Sequence, residues 1–104
     1  MENPRVELIA SEWQVTAPGA RQKTAEHGGK RVRLIEFTDE FVEREWCSRG
    51  HAGYVLEGAM EVALEGGATV RFGPGDALVL RAGTDKHKAK MLGPLVRLFL
   101  VEDV

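Results

Sequence analysis

The chain of 104 residues carries a single cysteine, Cys47, so no internal disulfide can form and a disulfide-stapled secreted scaffold is excluded. That thiol is left as either a buried side chain or a ligand. No apolar run approaches the roughly 20 residues needed to span a bilayer. The opening Met1-Glu2-Asn3-Pro4 is acidic and polar, so the chain reads as soluble and cytoplasmic. Neither sign of charge is in excess: 14 Lys plus Arg face 16 Asp plus Glu, a formal net charge of −2. There is no overall basic field to hold nucleic acid or an anionic membrane. Heptads, internal repeats, low-complexity tracts and domain linkers are missing as well. What remains, 43% hydrophobic and 29% charged, is the composition of one ordinary globular domain. Such a chain buries roughly 65% of its unfolded surface, enough for one core but not for a separate cofactor-binding domain. Any active site lies inside that fold.

Twelve glycines are spread along the chain, and the apolar residues between them alternate in short runs, which predicts an all-β protein. Met60, Val62 and Leu64 alternate with Glu61, Ala63 and Glu65; Gly66-Gly67 then suits a tight hairpin, and Ala68, Val70 and Phe72 run back. Gly73-Pro74-Gly75-Asp76 is a strong turn signal, because proline presets one turn angle and glycine accepts angles other residues avoid. A strand over Ala77 to Leu80 follows it. Upstream, Arg31 to Thr38, Phe41 to Cys47 and Ala52 to Glu57 read as strands; downstream, Lys86 to Leu92 and Leu95 to Val101 do so. Thr16 to Lys30 lacks periodicity and reads as a surface loop after an N-terminal strand. The expected organisation is one domain: residues 1–30 as a strand and loop packed on a barrel or sandwich formed by 31–104.

Candidate metal ligands cluster in Glu45-Trp46-Cys47-Ser48-Arg49-Gly50-His51, with His87 as a fourth. On a strand, Glu45 and Cys47 share one face, and the turn Ser48 to Gly50 can return His51 toward it. His87, Ala89 and Met91 share an apolar face opposite Lys86, Lys88 and Lys90. A buried imidazole there needs partners for both nitrogens, which a metal and one carbonyl or carboxylate would supply.

The run Trp46-Cys47-Ser48-Arg49-Gly50-His51-Ala52-Gly53-Tyr54-Val55-Leu56-Glu57-Gly58 resembles the first motif of small single-domain cupins. The run from Gly73-Pro74-Gly75-Asp76 to His87 resembles the second. The likeness covers Val32 to Val101, with fourteen residues between Gly58 and Gly73. It implies a jelly-roll barrel, or double-stranded β-helix, with His51 at the third ligand position and His87 at the last. Glu45 and Cys47 stand where the family usually has two histidines, and the second motif is one residue longer than usual and lacks its proline. A divalent transition metal (Zn, Fe, Cu, Ni or Mn) held by Glu45, Cys47, His51 and His87 is the expectation, thiolate and carboxylate both being competent ligands.

Other features carry blander expectations. The lysine row keeps a strand edge soluble, and Gly28-Gly29-Lys30 is a turn, since the flanking residues of a phosphate loop are missing. Ser48 has no nucleophile elbow, and Trp13, Trp46 and Tyr54 serve core packing, a pocket or an interface. Leu95 to Val101 is apolar on both faces, which calls for a covering layer and, most simply, a homodimer. Two functions fit these residues: a metal-dependent enzyme, dioxygenase- or isomerase-like, acting on a small molecule, or a cupin that binds or senses a small ligand without chemistry. No residue is assigned a catalytic role.

Overall fold

The computed structural model describes residues 3–104, so Met1 and Glu2 of the expected N-terminal segment lie outside the described residues. Among the described residues nine strands form two antiparallel sheets: β1 (Gln14–Ala17), β2 (Ala20–His27), β3 (Lys30–Phe37), β4 (His51–Glu57), β5 (Met60–Leu64), β6 (Thr69–Phe72), β7 (Ala77–Leu80), β8 (His87–Met91) and β9 (Val96–Asp103). The six-stranded sheet runs β1-β2-β3-β9-β4-β7 and the three-stranded sheet β6-β5-β8. Ile35, Val55, Leu78, Val96, Leu98 and Leu100 from the first sheet pack with Met60, Val62 and Met91 from the second. Val55 and Val96 are wholly buried. The described residues include no helix long and apolar enough to cross a membrane.

Turn chemistry sets the connections. Gly67 N donates to Leu64 O and Leu64 N to Ala68 O, closing β5 onto β6 through two glycines at φ +110°. At the next turn Asp76 N donates to Gly73 O and the Asp76 carboxylate accepts from Gly73 N. Gly53 serves packing instead: a Cβ there would lie 2.3 Å from Phe99 O, so only glycine lets β4 approach β9 this closely.

Two expectations are corrected. Thr16 to Lys30 is not a surface loop but most of the hairpin β1-β2 and the turn into β3. Its strand alternation is written in Ala20, Gln22 and Thr24 on one face against Arg21 and Lys23 on the other, so hydrophobic periodicity is silent while the pleat is intact. Phe41 to Cys47 is not a strand either. Within it only Cys47 is in a bridge, with His87.

The outer face of the larger sheet follows its register. Leu34, Phe99, Tyr54 and Ala77 form one cross-strand row, and Val32, Val101, Ala52 and Val79 form the next. Beside them runs a charged row in which Glu36 pairs with both Arg21 and Arg97. Tyr54 and Val79 are exposed. Trp13 lies under the guanidinium of Arg21 and Trp46 under Lys88.

Candidate metal centre

Cys47, His51 and His87 come together with their potential ligand atoms all within 4.8 Å of one another. Each is delivered by a different device. Cys47 and His87 are a directly opposed antiparallel pair, Cys47 N to His87 O at 2.9 Å and His87 N to Cys47 O at 3.0 Å. On its other edge β8 pairs with β5, His87 opposite Leu64. His51 opens β4 opposite Leu80 of β7, which brings the two sheets to one centre. The histidine rings meet edge to face at 5.2 Å, and Cys47 Sγ lies 3.7 Å from His51 Nε2.

Both imidazoles are held from behind. His87 Nδ1 is 2.8 Å from Asp85 O; a carbonyl only accepts, so Nδ1 carries the proton and the Nε2 lone pair is left for the cavity. His51 Nδ1 lies 2.5 Å from Glu102 Oε2, a close imidazole–carboxylate contact in which the carboxylate's charge is its larger influence on the ring. Arg33 Nη2 donates to the same oxygen at 2.9 Å, and Glu102 is only 6% exposed. Burial pushes the His51 pKa below its usual value; Glu102 opposes that shift, and His87 and Arg33 add to it. The neutral imidazole that coordination requires is therefore favoured.

These observations fit a divalent transition metal. Two imidazoles with their rear nitrogens facing acceptors, plus one thiol, are a donor set for Zn, Cu or Fe rather than for Mg or Ca.

Glu45, the remaining expected ligand, is exposed and stands outside this group. The carboxylate of this segment that faces inward is Glu43, whose Oε1 accepts from Ala89 N at 2.9 Å. Between Glu43 and Cys47 the chain advances four residues while its partners on β8, Ala89 and His87, are two apart. The surplus residues bulge outward and carry Glu45 with them. Burial raises the Glu43 pKa, the largest influence, against lowering by the Ala89 N–H, His87 and Lys88. Nothing in the alternation of 41–47 announces the bulge. Glu102 was within reach of the sequence, since Val96, Leu98 and Leu100 point inward and the next alternate position is Glu102.

The centre opens on a cavity of about 280 Å³ inside the barrel, with Phe37, Phe41, Met60, Leu78 and Leu98 among its apolar walls and Gln22, Arg33, Glu43 and Arg49 as polar ones. A larger cleft of about 690 Å³ lies outside this end of the barrel, and Arg49, His51 and Leu80 line both spaces.

Two antiparallel sheets enclosing such a histidine-bearing cavity define a jelly-roll cupin. Residues 31–97 match the EutQ-like cupin domain, and the chain belongs to that family. It is similar in structure to KdgF from Halomonas sp., at 30% identity and TM-score 0.75, with 92% of this chain and 91% of that one covered. The polyketide cyclase RemF from Streptomyces resistomycificus is similar at 22% identity and TM-score 0.74, covering 98% and 80%. The protein described as FeII HppE has TM-score 0.76 at 8% identity, covering 98% and 62%; the last two likenesses speak to the fold alone. No curated protein matches the chain.

Proposed function

We propose that the protein is a metal-dependent enzyme acting on a small molecule in the barrel cavity, its divalent transition metal held by Cys47, His51 and His87. The observation that carries this reading is the convergence of three donors within 4.8 Å on the wall of a cavity, both imidazoles being oriented by groups behind them. Three protein ligands leave a coordination position open for water or substrate, the arrangement of catalytic rather than structural sites. A metal so held supplies Lewis-acid or redox chemistry. The chain's own residues do the rest: Glu102 and the Asp85 carbonyl fix the rings, the apolar walls exclude water, and Glu43 offers a carboxyl group to donate or accept a proton. Metal analysis of protein purified without a histidine tag tests the reading. One transition-metal ion per chain is expected, falling to a small fraction in His87→Ala; a wild-type chain that takes up none from supplemented medium overturns it.

We further propose that a second copy covers the outer face of the larger sheet. Its two apolar rows, Leu34-Phe99-Tyr54-Ala77 and Val32-Val101-Ala52-Val79, form a contiguous patch of the kind that marks an interaction surface, and a face of this sort suits an isologous pair. Light scattering at micromolar concentration is expected to give a dimer, and Phe99→Glu a monomer that keeps its fold. A wild-type monomer contradicts the proposal.

A further inference from the structure

The charged groups at the mouth of the cavity do not balance. Lys30 pairs with Asp103, Arg31 with Glu26 and Arg33 with Glu102. Arg49 makes no hydrogen bond or ion pair with any described residue, yet its side chain lines both the inner cavity and the outer cleft. Among the described residues it is the one with a permanent charge at that junction. Its place is set by its neighbours, two residues after Cys47 and two before His51, on the turn between two of the converging side chains.

The chemistry of the surroundings selects the ligand. A divalent ion on one thiolate and two neutral imidazoles keeps a net positive charge; Arg49 adds a second, and Glu102 is already committed to Arg33. Among the described residues Glu43 is the only acidic side chain lining the inner cavity, and burial works against its ionisation. The space, about 280 Å³, is that of about nine liquid waters, and its walls are largely apolar. A guanidinium presents a planar fork of donors that matches a carboxylate two-on-two.

The geometry points to a small organic carboxylate as the ligand of this cavity, its anionic end clamped by Arg49 and its body lying over the metal centre toward Glu43. This rests on the metal-dependent reading above and adds the substrate class to it. Arg49 is then a specificity-determining residue rather than a ligand to the metal.

Oxalate serves as probe, titrated calorimetrically into the zinc-loaded and the metal-free chain. The wild type is expected to bind in both forms, more weakly without zinc. Arg49→Gln, which breaks no contact in the fold, is expected to weaken binding at least tenfold in each form at unchanged thermal stability, while Arg71→Gln on β6 changes nothing. Equal binding by wild type and Arg49→Gln overturns the proposal, as does the absence of oxalate binding in both forms. Tighter, Arg49-dependent binding of inorganic phosphate than of oxalate overturns the assignment to carboxylates. If zinc fails to bind but the metal-free chain still holds oxalate through Arg49, the metal reading fails while the anion site stands.

Discussion

Strand β4 and the segment that leads into it, residues 38–50, both feed the centre, but only one obeys a simple rule. In β4 the pleat is regular through its first five residues: His51 and Val55 are buried, Ala52 and Tyr54 lie outside, and each has a partner on β7 or β9. In the preceding segment Phe41 and Glu43 turn inward, the chain bulges, and Cys47 turns inward again. Backbone pairing on both sides holds β4 in register. The segment has β8 on one side only, through the Cys47 bridge and the Glu43 side chain, so nothing forces its residues to alternate. The lesson is that a period-2 pattern predicts a face only where neighbouring strands enforce it.

Two neighbouring glutamates sharpen that contrast. Glu43, half-buried, has a pKa raised above that of an unfolded carboxyl. Its ionisation therefore costs the folded state stability as pH rises from about 4.5 through the folded pKa, and costs nothing below that window. Glu43→Gln keeps an acceptor for the Ala89 N–H and removes the charge. The variant is expected to match the wild type at pH 4 and to melt higher at pH 8, by on the order of 5 °C. A variant that melts lower at pH 8 would mean that the Glu43 carboxylate is stabilised as an anion. Glu45→Gln is the smaller case: it should alter stability by less than about 0.5 kcal/mol and leave metal affinity unchanged, as isothermal titration will show. A tenfold loss of metal on that single change would return Glu45 to the coordination sphere and erase the distinction between the two carboxylates.

Legibility followed the same line. The hairpin at Gly66-Gly67, the Gly73 to Asp76 turn and the inward face of His87, Ala89 and Met91 were all written in alternation and turn residues, and the jelly-roll cupin fold followed from the two motifs. Strand β2 was missed because its inward residues, Ala20, Gln22 and Thr24, are small or polar and give no hydrophobic signal. Glu43 was missed because the bulge over 44–46 has no marker such as glycine or proline. Arg49 stood in full view within the first motif, but its lack of a counter-charge emerged only when the pairings of Lys30, Arg31 and Arg33 could be traced.

Cobalt(II) titration of the wild type and of Cys47→Ser tests the three-residue centre most directly, because a cobalt–thiolate bond produces a ligand-to-metal charge-transfer band in the near ultraviolet. The account predicts that this band grows to one equivalent in the wild type and is absent from a folded Cys47→Ser chain that binds cobalt more weakly. Cobalt bound at equal affinity by both chains, with no such band in the wild type, would contradict it and reduce Cys47 to a packing residue.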